Sequence, residues 1–70
     1  MKGFIEVLKE RKNGGFGRIL IAVSKIICVF DEGENALIEI QNGKGSSKIY
    51  GYLTSDTYDD VMEKIAEATK

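Results

Sequence analysis

Histidine, tryptophan and proline are missing from this 70-residue chain, and cysteine occurs once, at Cys28. Without histidine, one chain can form neither a Ser-His nor a Cys-His dyad. It also offers no imidazole for acid-base work and no His-ligated zinc site. A lone cysteine rules out an intrachain disulfide. Because Cys28 lies between Ile27 and Val29, with no base to activate it, it is expected to be a small buried thiol. No apolar run approaches the ~20 residues of a membrane span, and Glu6 stands where a signal peptide would continue its apolar core. The N-terminus therefore reads as part of the fold, and the chain as a cytoplasmic protein without membrane insertion.

What is present is the composition of an ordinary globular domain, 43% apolar and 30% charged, with a net charge of -1. A chain this short buries only about 60% of the surface its unfolded state exposes, so a second chain would help it. The charge gives no global attraction to nucleic acid and leaves only a local basic patch for that role.

The stretch from Ile19 to Gly43 contains three short apolar runs separated by two polar breaks, the pattern of a β-meander. Before it, Phe4 to Glu10 places Ile5 and Val7 on one face, with Leu8 interrupting the alternation. Arg11 to Gly17 carries three glycines and an Asn13-Gly14 pair, a strong hairpin signal. Arg18 to Val23 is apolar on both faces, so it is expected to be central or covered on both sides. Ser24-Lys25 reads as a bend before a strand from Ile26 to Phe30. A single helix from Ile19 to Phe30 is the competing reading, disfavoured by β-branched crowding. After an acidic turn, Asp31 to Asn35, come a strand Ala36 to Gln41, a second glycine loop Asn42 to Ser47, and a last strand Lys48 to Leu53. In that last strand Ile49 and Gly51 share one face and Tyr50 and Tyr52 the other.

The C-terminal period is helical. Tyr58, Val61, Met62, Ile65 and Ala66 form one apolar stripe. Thr57 with Asp60 resembles a capping box, Ser55 is a rival N-cap, and Asp56, Asp59 and Asp60 favour the positive end of the helix dipole. The expected fold is a single α+β domain over residues 1–70. It is a small twisted antiparallel sheet or open barrel of about five strands, followed by one C-terminal helix that covers it.

The runs Ile19-Leu20-Ile21-Ala22-Val23-Ser24-Lys25-Ile26, Leu37-Ile38-Glu39-Ile40-Gln41-Asn42-Gly43-Lys44 and Thr57-Tyr58-Asp59-Asp60-Val61-Met62-Glu63-Lys64-Ile65 resemble a family of very short bacterial flagellar and swarming-motility proteins and their prophage-associated relatives. The chain departs from that family at Ala22, where the family shows Asn, and at Glu34-Asn35, where it shows a Pro-Asp turn. The resemblance implies the same fold and a non-enzymatic, adaptor-like role.

Two loops are candidate ligand sites. Gly43-Lys44-Gly45-Ser46-Ser47-Lys48 has the composition of an anion nest, with Lys44, Ser46, Ser47 and Lys48 as donors, but not the spacing of a Walker loop. The other loop brings Lys12 and Arg18 to either side of Phe16. Together they form a candidate cationic rim with an aromatic, suited to a phosphate-containing ligand or a single strand. The alternative is that both are solvated turns. Tyr50, Tyr52 and Tyr58 are either packing under the helix or a protein-binding patch. Asp31, Glu32 and Glu34 lack the spacing of a calcium loop. No metal or cofactor is expected.

The function expected from these features is that of a small interaction protein acting as a homo-oligomer with an unidentified protein partner. The alternative is a phage- or mobile-element-encoded protein that sequesters an anionic ligand, nucleic acid or a host defence protein.

Overall fold

Ile5 and Val7 are buried while Glu6 and Leu8 face outward, and this alternation makes Phe4–Glu10 a strand, β1, with one side on the core. A computed structural model of the chain describes residues 2–41 and 48–70. β1 turns back at Arg11–Gly15, where the Arg11 N–H donates to the Gly15 carbonyl at 3.0 Å and the Gly14 N–H to the Arg11 carbonyl at 3.1 Å. Gly14 and Gly15 take φ of +92° and +73°, which only glycine adopts at no steric cost. The hairpin returns as β2, Phe16–Ala22, paired with β1 in an unbroken antiparallel register from Phe4↔Ala22 to Glu10↔Phe16.

The bend at Ser24-Lys25 is a single 3-10 turn, Val23–Lys25, after which the chain enters a second sheet. This sheet has the order β3-β4-β5, with β3 at Ile26–Asp31, β4 at Ala36–Gln41 and β5 at Ile49–Leu53. Ala36, Ile38 and Ile40 of β4 are buried, and Leu37, Glu39 and Gln41 take the other face. In β3, Ile26 pairs with Ile40 and Cys28 with Glu39, leaving Ile27 as the extra residue of a β-bulge. The extra residue keeps both Ile26 and Val29 on the core side, three positions apart.

The two sheets meet at one antiparallel bridge, Lys9↔Thr54, supported by the Ser55 N–H donating to the Leu8 carbonyl at 2.9 Å. No ladder joins β2 to β3, so the five antiparallel strands run β2-β1-β5-β4-β3 around an open barrel. The α+β architecture read from the sequence, with its terminal helix, is present. The central position expected for β2 is not: it pairs with β1 alone, and Leu20 on its outer face is 51% exposed. Apolar residues on both faces do not imply cover from within the same chain.

The helix, α1, spans Tyr58–Ala68. Thr57 is its N-cap, its hydroxyl oxygen accepting from the Asp60 N–H at 3.1 Å, and Ser55 is not. Its core contact is Val61, Ile65 and Ala68, which join Ile5, Val7, Ile21, Ala36, Ile38 and Ile40. Met62 and Ala66, expected in the buried stripe, are exposed, because α1 is rotated so that Val61 and Ala68 face the barrel. Three hydrogen bonds, two of them long-range, hold this rotation. The Gly3 N–H donates to the Ala68 carbonyl at 2.8 Å, and the Lys64 ammonium donates to the Glu6 carbonyl at 2.8 Å and to the Asp56 carboxylate.

Candidate functional site

The bridge between Lys9 and Thr54 is antiparallel, so β1 advances toward its hairpin as β5 recedes toward its first residue. The hairpin tip and the start of β5 therefore occupy the same end of the open barrel. Lys9 Nζ lies 4.7 Å from the centroid of the Tyr52 ring, a cation-π contact across the seam. Tyr52 is half-buried against the core, while Tyr50 is 40% exposed opposite Ile40. The Arg11 guanidinium group lies against Gly17, where an added Cβ would come within 2.5 Å of Nε. Exposed Lys12 and Lys48, and Phe16 at 43% exposure, complete this end.

The structure thus brings Lys12, Phe16, Lys48, Tyr50 and Tyr52 to one end and adds Lys9 and Arg11, which sequence reasoning missed. Arg18 lies farther along β2, opposite Leu8 on the outer face of the hairpin. Tyr58 is half-buried past the other end of β5, so the three tyrosines do not form one patch. Lys44, Ser46 and Ser47 fall outside the described residues. Lys9 and Arg11 carried no local signal, since one depends on a ring in another sheet and the other on the missing side chain of Gly17.

The two outer sheet faces form a second surface. On β1 and β2, Phe4, Leu8, Phe16 and Leu20 are each 40–51% exposed among Glu6, Glu10 and Arg18. On the three-stranded sheet, Phe30, Leu37 and Leu53 form one cross-strand row, with Ile27 and Ile49 exposed at 47% and 55%. Cys28 belongs to this outer face. It is half-buried and not enclosed in the core, because the bulge at Ile27 turns it outward. Its Sγ donates to Glu39 Oε1 at 3.3 Å. Burial first, then this hydrogen bond and the Glu39 charge, push its pKa up, so the thiol stays protonated and is a poor nucleophile.

A shallow groove of about 750 Å³ between β1 and α1 is lined by Lys2, Phe4, Glu6, Asp60, Glu63 and Lys64 among others. Lys64 is already engaged there with Glu6 and Asp56. Asp31 accepts from the Gly33 N–H at 3.0 Å and closes its own turn. Among the described residues no group of His, Cys, Asp and Glu could hold a metal ion, and no helix is long and apolar enough to cross a membrane. Comparison with protein-family models, with curated proteins and with solved structures found no match.

Proposed function

We propose that the chain is a small non-enzymatic interaction protein that acts as a homo-oligomer. The observation that carries this reading is the apolar character of both outer sheet faces, where Phe4, Leu8, Phe16, Leu20, Ile27, Phe30 and Ile49 are each 40–55% exposed. Large exposed apolar side chains gathered on sheet faces are the kind of surface that interaction sites use, and a small core gains from a second subunit. The resemblance to short motility proteins agrees with an adaptor-like role. Sedimentation or light scattering over a wide concentration range tests the proposal. A multiple of the 7.7 kDa chain mass is expected, and a strict monomer at high concentration would refute it.

A second reading is supported by the basic, aromatic barrel end, where Lys9, Arg11, Lys12 and Lys48 accompany Tyr52 and Phe16. This combination suits a phosphate-containing ligand such as a nucleotide or a single strand. A thermal-shift screen with nucleotides, cyclic dinucleotides and oligonucleotides at low salt tests it. A stabilisation that Arg11→Ala and Lys12→Ala abolish is expected, and one indifferent to both substitutions would place the ligand elsewhere.

A further inference from the structure

Among the described residues, β2 has the one strand edge that no neighbouring strand, bulge or bridge limits. The second edge of β1 is occupied by the bridge to Thr54 and by Lys64 on the Glu6 carbonyl, and β5 shares that seam. β3 carries the bulge at Ile27 and ends in Asp31. β2 runs seven residues without a bulge or a proline, and Arg18 is its one charged side chain. Bulges, prolines and charges are the devices that normally blunt an edge, so this edge is left open unless its one charge is matched.

The backbone phase of this edge is fixed. The Val23 N–H donates to the Gly3 carbonyl at 2.9 Å. Alternation along an antiparallel pair then assigns the bonds to β1 to Gly17, Ile19 and Ile21, and turns the N–H and C=O groups of Phe16, Arg18, Leu20 and Ala22 to the open side.

We propose that β2 pairs with β2 of a second copy, antiparallel about a two-fold axis at Ile19, making a continuous four-stranded sheet. This inference rests on the homo-oligomer reading and adds to it a contact along a strand edge, distinct from the outer faces. Centred on Ile19, the whole strand pairs: Phe16 with Ala22, Gly17 with Ile21, Arg18 with Leu20, and Ile19 with itself. The neighbouring registers of the same phase are worse. One sets Arg18 against Arg18, and like charges directly opposite destabilise a pair; the other leaves Phe16 and Gly17 unpaired.

In the chosen register, Arg18 shares a cross-strand row with Leu20 and then Glu6 of the second copy, since Glu6 is opposite Leu20 in each hairpin. Two strand spacings are about 10 Å, a gap that an arginine and a glutamate side chain close together. The edge therefore carries charge complementary to itself.

Cysteine cross-linking tests the pairing. In a Cys28→Ser background, Ile19→Cys places two thiols on facing residues of a non-hydrogen-bonded pair, whose Cα atoms are about 4.5 Å apart and within disulfide range. Mild oxidation is expected to give a covalent dimer with Ile19→Cys, and little with Leu20→Cys, whose counterpart is offset along the strand. Should Ile19→Cys fail to fold, Leu20→Pro provides the second test. It removes an N–H that β1 does not use, so circular dichroism is expected to be retained while the dimer dissociation constant rises about tenfold or more. Cross-linking that favours Leu20→Cys, or a dimer that Leu20→Pro leaves intact, overturns this pairing while the homo-oligomer reading stands. A monomer at every concentration overturns both.

Discussion

The Thr54 amide and the Thr54 hydroxyl both donate to the Ala36 carbonyl, each at 2.9 Å. Ala36 in turn donates its N–H to the Asp56 carbonyl at 2.8 Å, and Asn35 Nδ2 donates to the Thr54 carbonyl at 2.6 Å. Thr54 is fully buried and forms the bridge to Lys9. One residue therefore joins the first residue of β4, the end of β5, the approach to α1 and the other sheet. Thr54→Val keeps the shape and the amide bond but removes the hydroxyl donor. The expected loss is about 1 kcal/mol, a fall in Tm of roughly 4–8 °C, and calorimetry showing no shift would contradict the assignment.

Core truncation should separate the buried helix face from the one expected from the sequence. Ile38 and Val61 are fully buried, and Ile38→Ala should cost about 2–5 kcal/mol, a large part of the roughly 4–10 kcal/mol available to a domain of this size. Val61→Ala removes less volume and is expected to be destabilising as well. Met62→Ala, at a position 39% exposed, should change stability by no more than about 0.5 kcal/mol. Urea denaturation measures all three, and equal losses at Val61 and Met62 would show that α1 docks differently.

The N-cap assignment predicts an asymmetry between two neighbouring hydroxyl residues. Thr57→Ala deletes the acceptor for the Asp60 N–H and should cost about 1 kcal/mol. Ser55 enters the ladder through its backbone N–H to Leu8, which alanine retains, so Ser55→Ala should be close to neutral. Thermal melts of the two variants check this directly, and a larger loss for Ser55→Ala would move the cap.

Cys28 offers a pH-dependent test. Its pKa is raised above the ordinary 9.0 by burial, by its hydrogen bond to Glu39 and by the Glu39 charge. The native state thus favours the protonated thiol. Its contribution is fully present below the unfolded pKa and is lost as pH rises through the folded one. At pH 8, thiol labelling of the folded protein should be slower than that of the urea-unfolded chain. Glu39→Gln should accelerate labelling of the folded form; an unchanged rate would leave burial as the sole cause.

The alternation of Ile5 and Val7, the Asn13-Gly14 turn and the period of the C-terminal segment made the strands, the hairpin and the helix legible in the sequence, because each is a local pattern. How the two sheets meet was not legible. It depends on the Lys9–Thr54 bridge, made by backbone groups 45 positions apart. The exposure of Leu20 was hidden for a related reason, since an apolar outer face reads alike whether its cover comes from this chain or another. At the candidate site, Lys12, Phe16 and Lys48 stood out beside glycine loops. Lys9 and Arg11 acquire their positions only from Tyr52 and Gly17.

If β2 pairs two copies as proposed, the bulge at Ile27 on the edge of β3 is what would keep that assembly from growing further. Remove that residue, and Ile26, Cys28 and Val29 fall into plain two-residue alternation, giving β3 an edge as receptive as that of β2. A molecule with one open edge is satisfied by a single neighbour, whereas a molecule with two can keep adding neighbours and grow into a fibre. Under the proposed β2 pairing, deleting Ile27 should therefore turn a dimer into a species whose light scattering rises with time. On that pairing, the single extra residue in β3 would act as the chain terminator of its own polymerisation.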